Sequence, residues 1–389
     1  MRDVAIIGVG MTKFGRLEGK DLMDLLAEAS LKAMKDANVE NKEIDAVYVG
    51  NMLSAAINHQ TAIASSLVDR ISIFPAAADK VENGPASGGS AVKNGFLAVA
   101  SGVYDLVLVV GGEKMTTADT DVLTDYIATM THPTAEYIHG ITLPALAAML
   151  MRIYMQRYGV TERHIAMVAV KNHKNGMKNP YAHIHREITV EGAMQSVMIS
   201  DPLRLYYTCP ISDGAAAVIL CPADKAKEYR DKPVKIIGVG QATDVQCVHE
   251  REDPAVLKSC RIAAEKAYKM AGITPKDIDV AEIHDAFEIL ELVESEDVGL
   301  FEKGTAHLAV EKGVTEIDGD LPINPSGGLK ARGHPVGATG VAQIVELVWQ
   351  LRGEAGERQI KKDAKRALAC NFGGFGNNTV VHILEAMWK

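Results

Sequence analysis

The chain has 389 residues, of which 47% are apolar and 23% charged, a composition typical of a globular protein with a large core. Its 41 basic and 50 acidic residues give a net charge of −9, which argues against a nucleic-acid binder that works through general electrostatics. The five cysteines lack C-x-x-C pairing, the apolar start is too short for a signal peptide, and no stretch approaches the ~18 apolar residues of a membrane span. We expect one or two domains, cytoplasmic localisation, free thiols and no membrane or nucleic-acid partner.

The first predicted elements are a strand, a helix and a second strand. Residues 4–8 predict a buried strand that ends in a glycine turn, and residues 44–50 predict the next strand. Between them, Asp21 is a candidate N-cap for a helix whose apolar residues recur at helical spacing up to Ala37. The turn Gly8-Val-Gly10 begins like a dinucleotide-binding fingerprint, but Lys13 stands where the third glycine belongs, which argues against that fold.

A glycine-rich turn at residues 81–95 opens directly into a predicted helix, and an apolar strand at 106–111 follows. The turn reads VENGPASGGSAVKNG. A helix N-terminus offers free backbone N–H groups and a positive dipole end, which suit a nucleophile, an oxyanion or a phosphate. Pro85 occupies the position where a reactive side chain is expected, and it also removes a backbone N–H.

From residue 116 to about 199 the regular alternation of strands and helices fails. This span includes a predicted helix, PALAAMLMRIYMQRYG, followed by the basic stretch KNHKNGMKNPYAH. Lys171 and Lys178 in this stretch are candidates for neutralising the phosphates of a bound ligand, and a solvated basic face is the alternative interpretation.

Two short pairs of His and Cys residues are candidate metal ligands. These are His183-x-His185 and Cys247-x-His249. Neither pair is accompanied by a further ligand at the i, i+4 spacing of a helical metal site, so the sequence predicts no metal centre.

The second half of the chain repeats the plan of the first. Residues 234–240 (VKIIGVG) echo 4–10, and AYKMAGITPKDIDVAEI echoes AMKDANVENKEIDAVYV. The helix start at residues 86–88 matches that at 338–340, and residues 107–112 match 368–374. Two similar αβ units are expected to pack about a pseudo-twofold axis, so that equivalent turns face one cleft. This predicts that Pro85, His284, His334 and the turn at Asn371 converge.

Five motifs, in a fixed order, resemble those of the thiolase superfamily. They are VENGPASGG, SDGAAA (212–217), EIHDAF (282–287), NPSGGLKARGHPVGATG (324–340) and NFGGFG (371–376), and they are most similar to the motifs of archaeal acetoacetyl-CoA thiolases and sterol-carrier-type thiolases. The resemblance implies an α/β thiolase fold with two pseudo-twofold halves in five layers (α-β-α-β-α). It places the halves at 1–230 and 231–389, with a loop domain at about 116–200 inserted into the first half to cover the CoA ligand. It further implies a homodimer or tetramer and no cofactor besides the CoA thioester.

The resemblance also assigns roles to the cleft residues. His334 in GHP matches the histidine that activates the nucleophile, and His284 in HDAF matches a residue of the oxyanion hole. The N–H groups around Gly373 and Gly374 match a second oxyanion hole. A neutral imidazole serves either role near pH 7, since its reference pKa is about 6.5.

The sulfur atoms of the family are missing. The acyl-carrying cysteine corresponds to Pro85, and the three positions that hold a second cysteine in family members are Ala286, Arg332 and Asn371 here. Cys370 is one residue out of phase, so on a strand its side chain faces the other side of the sheet.

Two further residues of the cleft motifs each have two interpretations. Ser87 is either a substitute nucleophile or, as we favour, a helix-start residue that bonds the backbone. Arg332 either brings a positive charge into the cleft for an anionic ligand group or lies on the surface.

The sequence is compatible with three functions. The first is a protein of the acetyl-CoA acetyltransferase family that binds acyl-CoA but does not form an acyl-cysteine. The second is an enzyme that performs aldol or retro-aldol chemistry on β-hydroxyacyl-CoA without a cysteine. The third is a non-catalytic subunit that serves an active thiolase, an HMG-CoA synthase or the small zinc-ribbon/OB-fold protein that bridges them in archaea.

Overall fold

The structure, a computed structural model, describes residues 1–388. The strands are β1 (Val4–Met11), β2 (Ala46–Gly50), β3 (Ala77–Val81), β4 (Val107–Glu113), β5 (Met198–Ser200), β6 (Leu203–Arg204), β7 (Gly214–Pro222), β8 (Val234–Thr243), β9 (Val280–Glu282), β10 (Arg366–Gly373) and β11 (Asn378–Ala386). The helices are α1 (Leu22–Ala37), α2 (Ser54–Ile57), α3 (Ile63–Arg70), α4 (Ser87–Ser101), α5 (Thr120–Ala128), α6 (Leu143–Tyr158), α7 (Glu162–Met177), α8 (Val190–Met194), α9 (Ala226–Tyr229), α10 (Lys258–Ala271), α11 (Glu288–Asp297), α12 (Ala306–Glu311), α13 (Gly328–Ala331) and α14 (Thr339–Arg352).

The large sheet shows the internal repeat directly. Its strand order is β3-β2-β4-β7-β1-β8-β11-β10-β9, so the second half mirrors the first. The outer pairs β2–β3, β2–β4 and β9–β10 are parallel, whereas β4–β7, β7–β1, β8–β11 and β11–β10 are antiparallel. The two halves join where β1 and β8 pair antiparallel through three residues each.

The first helix forms as the sequence predicts. Asp21 accepts a hydrogen bond from the backbone of Asp24 at 2.7 Å and completes a capping box. The helix ends at Asn38, which adopts the left-handed conformation. Its apolar face packs on the first half of the sheet, where it buries Leu22, Leu25 and Leu26.

Two equivalent helices, α4 and α14, lie back to back between the two halves of the sheet and share one buried cluster with strands of both. Their approach requires glycine, because a Cβ added to Gly340 would lie 2.2 Å from the backbone nitrogen of Gly89. Helices α1 and α3 cover one outer face, and α10 and α11 cover the other. The expected five-layer α/β fold with two mirrored halves is therefore confirmed.

A buried carboxylate at the end of β4 ties the two halves together. Glu113 accepts hydrogen bonds from four donors: Asn51 Nδ2 at 2.6 Å, Leu53 N at 2.8 Å, Met52 N at 3.1 Å and Gly337 N at 2.9 Å. Gly337 belongs to the turn before α14, so this one side chain fixes the distance between the turns of the two halves.

The irregular span after β4 folds as helices α5 to α8, and α6 covers most of the predicted PALAAMLMRIYMQRYG helix. Residues of α5 and α6 cover the cleft, where Thr124, Ile127 and Leu143 line its wall. Within residues 1–388, no helix is both long and apolar enough for a membrane crossing.

Candidate active site

A cavity of about 210 Å³ lies where the turns of the two halves meet the covering helices. Its floor includes Pro85, His284, His334 and Gly374. The remaining wall is mostly apolar, and its side chains include Met115, Ile127, Met130, Leu143, Ile199, Phe287, Phe372 and Phe375. A mostly apolar cavity with a few convergent polar groups is the usual form of a small-molecule site.

Pro85 lies in the turn immediately before α4 and is buried. Its carbonyl accepts a hydrogen bond from Asn371 Nδ2 at 3.1 Å. Ser87, the first residue of α4, donates its hydroxyl to the Gly84 carbonyl at 2.6 Å and accepts from the backbone of Asn83 at 2.9 Å. Ser87 thus bonds the backbone of its own turn, as the favoured interpretation predicted, and it does not line the cavity.

His284 follows β9, and its proton position is fixed by Asn371. The amide oxygen of Asn371 accepts the N–H of Gly89 at 3.1 Å, and its two amide protons go to Pro85 O and to His284 Nδ1 at 2.9 Å. Because Nδ1 of His284 accepts, Nε2 carries the ring proton. His284 therefore has an N–H donor left for a ligand.

His334 has the opposite arrangement. Its Nδ1 lies 2.7 Å from Thr339 Oγ1, and that hydroxyl also lies 3.1 Å from the Pro335 carbonyl. The single hydroxyl proton goes to the carbonyl, so Thr339 accepts the Nδ1 proton of His334. Nε2 of His334 then holds a free lone pair, as a base requires.

The two imidazoles stand edge to face with ring centroids 4.9 Å apart, and Phe372 packs against His284 at 4.3 Å. Burial is the main cause that lowers the pKa of His284 well below its usual value, and electrostatic repulsion from His334 and Arg332 lowers it further. Burial and the Arg332 charge lower the pKa of His334 to about 3. Both rings are therefore neutral at pH 7.

The structure thus brings Pro85, His284, His334, Asn371 and Gly374 together, as the internal repeat predicted. Asn371 supports the site from behind through its hydrogen bonds to Pro85 and His284, whereas Gly374 lines the cavity itself. Gly373 does not line the cavity.

The two candidate phosphate-binding lysines lie elsewhere. Lys171 is 2% exposed, and its ammonium is bound by Glu291 at 2.5 Å and by the Ile323 carbonyl at 2.7 Å. This placement contradicts the expected phosphate contact, because the charge is already neutralised inside the protein. Lys178 lies beside a separate surface pocket, together with Tyr181 and Trp349.

Arg332 fits neither of its two predicted positions. Its side chain is fully buried and pairs with Glu282 at 3.0 Å, behind the cavity and away from the surface. The guanidinium acts on the cavity only through space, by lowering the pKa values of both histidines.

The two thiols nearest the site differ in position. Cys370 is buried on β10 beside Cys260 and Glu294, and it does not line the cavity. Cys209 lines the cavity, which the sequence analysis missed. Burial raises the pKa of Cys209 to about 12, and among residues 1–388 its sulfur makes no hydrogen bond to either histidine. The only sequence signal was its place three residues before the SDGAAA motif.

Comparisons with known proteins identify the family of the chain. A family model for the thiolase N-terminal domain matches residues 4–224, and one described as thiolase C-terminal domain-like matches residues 240–386. The acetyl-CoA acetyltransferase of Methanothermobacter thermautotrophicus is 49% identical over 387 residues, which span 99% of this chain and 100% of the relative. Human sterol carrier protein 2 is 36% identical over 99% of this chain and 72% of its own length. Among solved structures, the "Ltp2-ChsH2(DUF35) aldolase" superposes with a TM-score of 0.85 and 27% identity, covering 100% of this chain and 98% of that one. The chain therefore belongs to the thiolase family and resembles its acetyl-CoA acetyltransferases.

Proposed function

We propose that this protein binds acyl-CoA thioesters in the cavity and makes or cleaves a carbon–carbon bond without an acyl-cysteine intermediate. The substrate class is β-hydroxyacyl-CoA, and the reaction is aldol or retro-aldol. The observation that carries the proposal is the pair of neutral imidazoles, one with a free N–H and the other with a free lone pair.

The absence of a competent thiol at the cavity supports a non-covalent route. Pro85 stands in the turn where the family carries its nucleophile, and a proline ring cannot accept an acyl group. Cys209 is the one thiol among residues 1–388 that lines the cavity, and its raised pKa keeps it protonated at pH 7. A reaction with no acyl-enzyme step uses the residues that remain.

The chemistry proceeds as follows in the retro-aldol direction. His334 Nε2 takes the proton of the β-hydroxyl, and the bond between the α- and β-carbons breaks to give a free carbonyl product and the enolate of the shorter acyl-CoA. His284 Nε2–H donates to the enolate oxygen, where negative charge develops. The imidazolium of His334 then returns its proton to the α-carbon, so the proton balance closes within the site.

The negative charge of the enolate also favours protonation of His334 during the reaction. The free imidazole has a pKa near 3, which makes it a weak base before substrate enters. An anion formed beside it favours the charged ring, so the base becomes stronger as the reaction advances. The site therefore stabilises the transition state more than the bound substrate.

We extend the proposal to assembly. Strand β3 forms one edge of the large sheet, and its residues are half-exposed or exposed, which suits a dimer contact through the first half. The solved aldolase above is named together with a DUF35 protein, which supports an accessory partner for this chain as well. The second candidate function is that of a non-catalytic subunit in a complex with such a partner.

The test is to incubate the purified protein with acetyl-CoA, acetoacetyl-CoA and β-hydroxyacyl-CoA esters while following products and intact protein mass. We expect cleavage of a β-hydroxyacyl-CoA with unchanged protein mass, and loss of cleavage in His284→Ala and His334→Ala. His59→Asn is the matched control, since it removes an exposed imidazole that does not line the cavity. A covalent acyl adduct on the wild-type protein would overturn the proposal, and CoA binding without turnover would select the non-catalytic subunit.

A further inference from the structure

Three side chains with typical metal-binding atoms meet at the rim of the cavity, although one of them is far from the other two in sequence. They are Glu136 from the covering span, and Cys247 and His249 from the loop between β8 and α10. One ligand atom from each lies within 4.8 Å of the other two. The spacing Cys247-x-His249 alone was too weak to predict a site, because the third ligand comes from a distant segment.

The carboxylate of Glu136 is held in place before any ion binds. One oxygen accepts the backbone N–H of His132 at 2.9 Å, and the other accepts the N–H of Val248 at 3.0 Å. Each carboxylate oxygen has two lone pairs, so each keeps one for a cation. Glu136 is 4% exposed and Cys247 is 2% exposed, so two of the three groups are buried.

The third group is free to adjust. His249 is exposed, and its ring makes no hydrogen bond or ion pair among residues 1–388. Tetrahedral zinc, with bonds of about 2.0–2.3 Å, separates its ligand atoms by roughly 3.3–3.8 Å. The cluster therefore has to contract by about 1 Å, and rotation of the exposed His249 side chain supplies that movement.

The positively charged side chain of Arg251 does not occupy the site. Arg251 lies on the same loop, but its guanidinium donates to the Phe375 carbonyl at 2.7 Å and forms no ion pair with Glu136 among the described residues. The loop is also joined to the covering span by Gln246 Nε2, which donates to the Met130 carbonyl at 3.1 Å. Both Phe375 and Met130 line the cavity.

We propose that Glu136, Cys247 and His249 form a zinc site that clamps the covering span to the second half at the edge of the cavity. One sulfur, one imidazole nitrogen and one carboxylate oxygen are the donor set that zinc prefers, and three protein ligands leave a fourth position open to water. On binding, a Zn–S bond replaces the S–H bond of Cys247, and the proton passes to solvent. No electron transfer is involved.

The experiment titrates the tag-free, reduced, full-length protein with Co²⁺ as a spectroscopic substitute for zinc. We expect one ion per chain, a sulfur-to-cobalt charge-transfer band in the near ultraviolet, and displacement of that ion by Zn²⁺. Cys247→Ala should abolish the band, and His249→Ala should weaken binding by about 100-fold. Cys221→Ala is the control, because Cys221 is buried on β7 away from the rim.

A thermal-unfolding measurement keeps the test independent of the spectrum. Zn²⁺ should raise the Tm of the wild-type protein and of Cys221→Ala, and should leave that of Cys247→Ala unchanged. A charge-transfer band that survives in Cys247→Ala would overturn the proposal. So would a wild-type protein that shows neither the band nor the zinc-dependent rise in Tm.

Discussion

Replacing Pro85 with cysteine tests the proposed non-covalent route most directly. The substitution Pro85→Cys places a thiol in the turn before α4, at the cavity that His334 also lines. The fold should tolerate it, because loss of a compatible proline costs about 0.4–1 kcal/mol through the unfolded state. The carbonyl that accepts from Asn371 is kept, since that bond uses the backbone of residue 85.

The expected gain follows from two thiol pKa values. In the wild-type protein the competing thiol is Cys209, whose pKa of about 12 leaves roughly one molecule in 10⁵ as thiolate at pH 7. A thiol at a helix N-terminus has a pKa of about 7 or below, so about half or more is ionised. The lower pKa reduces intrinsic nucleophilicity with a Brønsted slope of about 0.4–0.5, which leaves a net advantage on the order of 100-fold.

The assay is intact mass spectrometry after incubation with acetyl-CoA, with peptide mapping of the modified residue. Pro85→Cys should gain one acetyl group at the new thiol about 100-fold faster than any thiol of the wild-type protein. Pro85→Ala is the matched control, because it removes the ring without adding sulfur. Equal acylation of the wild-type protein at Cys209 would contradict the proposed non-covalent route, as would a folded Pro85→Cys variant that binds CoA and stays unmodified.

Three further predictions concern the histidines and the junction of the two halves. Thr339→Val removes the acceptor for Nδ1 of His334. It should lower kcat/KM by about 10–100-fold and change the ring tautomer seen by ¹⁵N NMR. Thr339→Ser should keep the wild-type kcat/KM and the wild-type tautomer. Because burial lowers both histidine pKa values, the rings stay neutral from about pH 5 to 8, and the pH profile of kcat/KM should lack a limb near the ordinary value of about 6.5. Glu113→Gln turns an amide donor toward buried N–H groups and should lower the free energy of unfolding, measured in urea, by about 2–4 kcal/mol. The exposed control Glu18→Gln should change it by less than about 0.5 kcal/mol.

Each of these has a contradicting result. An unchanged tautomer in Thr339→Val would mean that the hydroxyl does not orient His334. An activity that falls as pH drops through about 6.5 would mean that one ring titrates normally. A Glu113→Gln protein as stable as the wild type would mean that the four donors find other partners.

The sequence predicted the convergence of the site because the internal repeat fixes which turns face each other. His284, His334 and Pro85 each lie within a recognisable motif, and the mirrored strand order brings them to one cavity. The burial of Lys171 could not be predicted, because a lysine on an amphipathic helix looks the same whether it meets solvent or a buried carboxylate such as Glu291. The third ligand of the proposed zinc site, Glu136, was equally hidden, since its partner loop is more than a hundred residues away.

The turns before α4 and α14 are equivalent in the two halves, but their hydrogen bonds differ. Ser87 and Thr339 are equivalent first residues of the two central helices, and each hydroxyl bonds a carbonyl of the turn before it. In the first half, Ser87 accepts from the backbone of Asn83, so the turn is closed and Pro85 only shapes the cavity.

In the second half, the acceptor position of the hydroxyl is occupied by His334 Nδ1, so the same device fixes a tautomer. The two halves therefore differ in the donor that each hydroxyl accepts from, and both imidazoles of the cavity belong to the second half. Substitutions at Ser87 should therefore change the free energy of unfolding and leave the pH profile of kcat/KM unchanged. Substitutions at Thr339 should change the tautomer of His334 even where the fold is kept.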